Sequence, residues 1–366
     1  MKNRLFKILP ALCFAVAILT GSIGTLAFQG PDYSEFERRK LAAFPKFSAE
    51  SIADGSFIKE LDTYLADHFA GREELRKLVA FYQLGLLNEN EYNGFVRKGE
   101  SIISLQKQIN EASLEYAKSR FLYVYERYLK NTGCSFYDAL IPDKSAFLEE
   151  EGYPVLDFEK MEEMYGDGLS FGKDIPLKES LALSDYYLTD SHLRQEKITE
   201  AAKAILSALG RDTKLLEKEF IQNPVYPFYG VYAGQSAMSP EPETLYYLTG
   251  GYLDSLRAFD PMTKEEFPVY DPDGCDKRDM YTLFTGGGKG LIRIDNPEGK
   301  KGELIVFRDS FGAAFAPLLA AGYSRVTLVD LRYIHPDVLS RYIRFNDQDV
   351  LFLYSETFIN NSQGLR

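Results

Sequence analysis

The stretch Glu303–Tyr333, ELIVFRDSFGAAFAPLLAAGYSRVTLVDLRY, leaves the chain little choice of fold. It holds two short apolar runs, Leu304–Phe307 and Val326–Leu331. Each is continuous rather than alternating, as a strand buried on both faces requires. Between them Phe311, Ala314, Phe315, Leu318 and Leu319 recur at i, i+3, i+4, i+7 and i+8, which is one face of a helix. Gly322 is its expected stop. The pattern predicts a β-α-β unit, with Pro317 bending or dividing the helix. Ser310 falls where the first strand ends and the helix begins. In an open parallel sheet that edge is where ligands bind, and amides at the helix start would stabilise an oxyanion there.

The alternation continues. His335-Pro336 opens a second helical stripe (Val338, Leu339, Tyr342, Ile343), and Val350–Tyr354 is a third apolar strand. Upstream, Ser135–Ile141 reads as another strand, ending at Pro142-Asp143-Lys144 on the functional edge. The expected class is α/β, a doubly wound and mostly parallel sheet with flanking helices. Residues 94–105 predict a short hairpin and Glu111–Lys130 a long helix. Ser48 or Ser51 caps a helix through about Leu65, and a second helix carries Leu75, Leu78, Val79, Tyr82 and Leu86. The glycine-rich Phe284–Gly290 lacks the spacing of a phosphate loop and reads as a flexible turn.

At the start of the sequence, Lys2, Arg4 and Lys7 precede a largely apolar run from Ile8 to Phe28. That is a signal sequence or an anchor, with the rest exported. Ala27 is a cleavage candidate, but the length of the run favours an uncleaved anchor. The expected organisation is an anchor over residues 1–28, a helical membrane-proximal segment over 29–93 and an α/β domain over 94–366. The net charge, 42 − 54 = −12, argues against nucleic acid. Without a CxxC or a Cys/His cluster, no metal site is expected, and Cys134 and Cys275 are the two cysteines that could pair after export.

A serine nucleophile needs a base, usually a histidine oriented by a carboxylate. The chain offers His68, His192 and His335. His68 sits beside a turn in the helical segment and reads as a surface residue. His192 follows Asp190 by two residues at what reads as a helix start, and either partners Ser310 or is a polar residue beside a cap. His335, just past the second strand and followed by Asp337, is its rival. Ser310 itself reads equally as a helix cap, with Asp309 as a helix-start acid.

Three motifs together resemble the DHHW family of exported bacterial proteins, relatives of the alginate O-acetyltransferases of the AlgX and AlgJ type within the SGNH-hydrolase-like superfamily. Tyr187-Leu188-Thr189-Asp190-Ser191-His192-Leu193 resembles the segment that names the family. Phe307-Arg308-Asp309-Ser310-Phe311 resembles its serine motif, and Val329-Asp330-Leu331-Arg332-Tyr333 its downstream strand. Phe36–Leu41, Asp54–Phe57 and Asp67–Arg72 resemble its N-terminal region. The resemblance implies an SGNH-like domain with Ser310 as nucleophile, His192 as general base and Asp190 as the orienting carboxylate. It implies acetyl transfer to a cell-surface or exopolysaccharide without a cofactor, and a membrane-bound O-acyltransferase partner that delivers the acetyl group. Arg332 and Tyr333 become candidates for binding the sugar. Ser191 and Leu193 replace a histidine and a tryptophan of the name motif, and Arg308 stands where SGNH enzymes have glycine. Two alternatives stay open, a carbohydrate acetyl esterase and a non-catalytic polysaccharide-binding or scaffold protein.

Overall fold

The structure is a computed structural model that describes residues 2–27, 31–167, 169 and 171–366. The expected junction of anchor and helical segment at Phe28–Gly30 lies outside the described residues. The chain divides into two compact units, residues 1–94 with 231–240, and residues 95–230 with 241–366.

In the first unit, helix α1 (Lys2–Ala27) contains an apolar window, Ile8–Thr25, long enough to cross a membrane. The expected helix from Ser48 is two helices. Ser48 caps the short Ala49–Ala53, and Gly55, at φ +79°, turns the chain into α2 (Ser56–His68). A left-handed conformation there suits glycine alone without strain. Helix α3 (Arg72–Ala80) continues into a π-helical turn, Phe81–Leu86. Asp67 accepts from both guanidinium ends of Arg39 at 2.9 and 2.6 Å, and that pairing holds its carboxyl down at about 2.

The second unit is mixed α/β, built on an eight-stranded sheet. In chain order its strands are β1 (Ser135–Ile141), β2 (Lys173–Asp174), β3 (Arg257–Asp260), β4 (Glu265–Phe267), β5 (Leu291–Asp295), β6 (Glu303–Arg308), β7 (Arg325–Val329) and β8 (Asp349–Ser355). They lie in the order β4-β3-β5-β7-β6-β8-β1-β2. The run from β7 to β2 is parallel, and β5, β3 and β4 extend it antiparallel. Two cores flank the sheet, as continuous apolar strands demand. One joins Leu304, Val306 and Leu328 to α5 (Thr199–Ala208) and α6 (Gly312–Leu319). The other joins Ile305, Phe307 and Phe352 to α4 (Glu111–Val124).

Helix α6 departs from the amphipathic reading, since every residue from Gly312 to Leu319 is buried. Its alanines and Gly312 let it sink between the sheet and α5, so it has no solvent face. Pro317 closes it within two turns, and a 3-10 turn, Ala320–Gly322, follows. The helical stripe after His335 is likewise a 3-10 segment, Pro336–Arg341. Cys134 and Cys275 are free and buried. They belong to the cores on opposite faces of the sheet, so the fold separates the pair.

Candidate active site

Strand β6 delivers Ser310 to the carboxyl edge of the sheet. Its neighbours β7 and β8 both follow it in the chain but lie on opposite sides of it, so β6 ends at a topological switch point. The turn past β6 is fixed by Asp309. Its Oδ1 accepts the Phe311 N–H at 2.9 Å, and its Oδ2 accepts the Ser355 N–H and Oγ–H at 2.9 and 2.6 Å. The carboxylate that reads from sequence as a helix-start acid is therefore a tie between the ends of β6 and β8.

His192 reaches Ser310 from a loop, not from a helix start. Tyr186 and Leu193 form an antiparallel bridge, the Tyr187 N–H donates to the His192 carbonyl at 3.1 Å, and α5 begins only at Thr199. Inside this loop Asp190 Oδ1 accepts the His192 backbone N–H at 3.0 Å and lies 2.6 Å from His192 Nδ1. His192 Nε2 lies 2.8 Å from Ser310 Oγ. An ionised carboxylate only accepts, so Nδ1 carries the proton and Nε2 presents its lone pair to the serine. Asp190 is 1% exposed. The Tyr281 ring stacks on His192 with centroids 4.0 Å apart and planes at 16°, and its hydroxyl donates to the Leu193 carbonyl. Phe311 packs against the imidazole as well, at 4.9 Å.

The loop is held by opposite charges on its two backbone faces. The Lys144 ammonium, fully buried, points at the carbonyls of Ile102, Tyr187, Leu188 and Asp190 at 2.6, 2.9, 3.1 and 3.3 Å. Burial lowers its pKa to about 8, against the attraction of Asp143, Asp190 and Glu243. Glu243 accepts the amides of Leu188 and Thr189 at 2.8 and 2.7 Å and the Thr189 hydroxyl at 2.6 Å. Burial raises its carboxyl pKa, and the Thr189 and Leu188 donors offset part of that. Gly230 packs so close that a Cβ there would lie 2.2 Å from the Thr189 carbonyl oxygen.

A cavity of about 170 Å³ opens beside Ser310 and His192, lined further by Tyr281, Gly287, Gly288, Arg308, Arg332 and Tyr333. Arg332 and Tyr333 thus flank the serine, and Arg332 is bidentate on Asp330 at 2.9 and 2.6 Å. Arg308 is buried along the underside of α6, where Gly312 makes room for it: a Cβ on Gly312 would lie 2.7 Å from the Arg308 Cβ. The glycine-rich segment forms a wall of the cavity through Gly287 and Gly288. His335 stays outside. Half-exposed, it accepts the Asp337 N–H at Nδ1. His68 contacts the Ala42 carbonyl in the first unit.

Glu243 and Tyr281 are absent from the sequence reading, and Lys144 enters it only as the end of a strand, without a role. Their targets are backbone groups and a ring far along the chain, so no local spacing marks them.

The DHHW protein family model matches residues 37–136. No curated protein matches the sequence. Among solved structures, a DHHW family protein from Eubacterium siraeum matches at 18% identity and a TM-score of 0.59, over 75% of this chain and 95% of that one. PatB1 from Bacillus cereus, solved with a sulfonyl adduct, matches at 19% and 0.56, over 72% and 95%. The O-acetyltransferase domain of Pseudomonas putida AlgJ matches at 14% and 0.42, over 73% and 92%, a score too low to equate the folds. At these identities the first two share a fold with this chain. Together with the family model over residues 37–136, they bear out the resemblance to the DHHW family.

Proposed function

We propose that this chain is an exported, membrane-anchored O-acetyltransferase with an SGNH-like catalytic domain, which moves acetyl groups onto hydroxyls of a cell-surface or exopolysaccharide. The observation that carries the proposal is the hydrogen-bond chain from Asp190 through His192 to Ser310, at 2.6 and 2.8 Å, beside an open cavity. Those are the distances a base must keep to its nucleophile and to its own orienting group. The sulfonyl adduct on PatB1 adds support, because sulfonyl groups are captured by activated nucleophiles.

His192 Nε2 takes the proton of Ser310 as Oγ bonds to the acyl carbon of the donor. The tetrahedral intermediate collapses, and the departing group takes that proton from His192. Next a sugar hydroxyl gives its proton to His192 and attacks the acetyl-serine. The Oγ–C bond breaks and Ser310 regains its proton. Asp190 holds the productive tautomer throughout. Arg332 and Tyr333 bind the sugar at the cavity mouth. Residues 1–28 anchor the chain, residues 29–93 form the membrane-proximal segment, and residues 94–366 face the extracytoplasmic side. There a membrane-bound O-acyltransferase supplies the acetyl group.

Intact-mass spectrometry tests this on the full-length chain in detergent, incubated with an activated acetyl ester. The expected result is an acetyl adduct or ester turnover in the parent, lost in both Ser310→Ala and His192→Ala. Activity that survives His192→Ala and dies in His335→Ala would make His335 the base in place of His192. Turnover that water sustains but no polysaccharide accelerates marks an esterase. No adduct and no turnover, with polysaccharide still bound, marks a scaffold.

A further inference from the structure

Two donors beside Ser310 are idle in the resting protein. Arg308 is 2% exposed, and its Nε and Nη2 have no hydrogen-bond partner among the described residues. Nη1 is engaged, donating to the Asp309 carbonyl at 3.1 Å and lying 3.4 Å from Asp330 Oδ2. Asp330 already serves Arg332 with both oxygens. A guanidinium stays charged, and buried donors without acceptors are costly. Such groups in a native protein call for an explanation, and a catalytic role is one.

The surroundings narrow that use. Arg308 lines the same cavity as Ser310 and His192, with Arg332 and Asp279 as the other charged groups on its wall. At about 170 Å³ the cavity holds the volume of roughly five or six water molecules, taking ~30 Å³ for each. That admits an acyl group and its tetrahedral centre, and leaves a sugar ring at the mouth. The helix-start amides that would otherwise meet an oxyanion are partly spent. Phe311 N–H donates to Asp309 Oδ1, and Ala313 N–H to the Ser310 carbonyl at 3.1 Å.

Resting on the serine reading above, we infer that Arg308 is a catalytic residue whose Nε and Nη2 hydrogen-bond the oxyanion formed on the acyl carbonyl as Ser310 Oγ attacks. The carbonyl oxygen gains the electron pair when the Oγ–C bond forms and returns it when the leaving group departs. Arg308 exchanges no proton. Donors already in place for a charge that exists only at the tetrahedral stage lower the barrier without tightening ground-state binding.

The test measures p-nitrophenyl acetate hydrolysis by the full-length chain in detergent, for the parent, Arg308→Met, Arg308→Ala and Ser310→Ala. Alongside it, binding of methylboronic acid is measured, because it forms an anionic tetrahedral adduct on a serine hydroxyl. Arg308→Met keeps the stem beneath Gly312, and near-UV circular dichroism checks its packing. Its kcat is expected to fall on the order of 100- to 1,000-fold with KM little changed. Boronate affinity should fall in parallel, and added guanidinium should restore part of the rate in Arg308→Ala, which a structural role would not allow. An active parent and an equally active Arg308→Met overturn the inference alone. If that variant then loses affinity for glucuronate, the cavity is a carboxylate subsite instead. A parent with neither turnover nor boronate adduct overturns the serine reading and this inference together.

Discussion

Removing the Lys144 ammonium should both loosen the second unit and misplace His192. Its three N–H donors serve four carbonyls, three of them on the loop that carries Asp190 and His192. Hydrogen bonds to a charged group contribute ~1.5–3 kcal/mol each, so three give roughly 5–9 kcal/mol gross. Burial opposes this. A fall in pKa from 10.5 to about 8 costs the charged form roughly 3 kcal/mol. The loss in a variant comes from the carbonyls it strands, and breaking a buried charged network by removing one member costs ~3–5 kcal/mol. Lys144→Met keeps the stem and should lose about that much in urea denaturation. Far-UV circular dichroism is the probe, since the chain has no Trp. The loop shift should cut ester turnover roughly 100-fold, the cost of about 1 Å of misplacement. The pH dependence has a definite sign. Below pH 8 the ammonium is charged in both states and the burial penalty is fully present. Between pH 8 and 10.5 the unfolded chain holds the proton longer, so stability rises with pH in the parent and not in the variant. The gap between them should therefore widen from pH 8 to 10. A variant with parental stability and parental kcat would refute the clamp. Lost stability with unchanged kcat would leave Lys144 a structural residue only.

Asp190→Asn should lower kcat by about 10⁴-fold while leaving the melting curve close to the parent's, because an amide no longer enforces the Nδ1–H tautomer. Asp138 and Glu162 are both pushed up to about 7, chiefly by burial and then, in each case, by Asp174. Such carboxyls bind more protons folded than unfolded between about pH 4 and 7, so their contribution to stability is lost as pH rises through that window. Asp138→Asn removes the group's share, and its melting temperature should gain on the parent's from pH 4 to 7 and then level off. Gly312→Ala drives a methyl to within 2.7 Å of the Arg308 Cβ and should cost about 1–3 kcal/mol in urea denaturation, with a matching loss of turnover.

What the sequence made legible follows from how local each signal is. The strands β6, β7, β8 and β1 announce themselves because burial on both faces forces continuous apolar runs, and Ser310 follows from their edge. The antiparallel strands β3, β4 and β5 are fainter, because residues 211–300 read as strand-like pieces broken by many turns and lack a continuous apolar run. Helix α6 shows an apolar stripe in sequence, yet it is buried all round, because alanine and glycine on its other faces permit an approach that a stripe count does not register. The partner of Ser310 is harder to read. Spacing left His192 and His335 level, and only the resemblance favoured His192. The physical reason the fold favours it lies in Lys144 and Glu243, which grip opposite backbone faces of its loop from positions 43–55 residues away in sequence. A lysine aimed at carbonyls and a glutamate aimed at amides carry no motif, because backbone groups are the same at every position.

The same limit explains Arg308. In sequence it stands out as a large side chain where the related motif has glycine, an obstacle to a tight turn beside Ser310. In the fold the turn is made by Asp309, and Gly312 gives the arginine its channel beneath α6. What reads as a defect one residue at a time becomes, with three residues considered together, a buried cation delivered to the cavity that Ser310 faces.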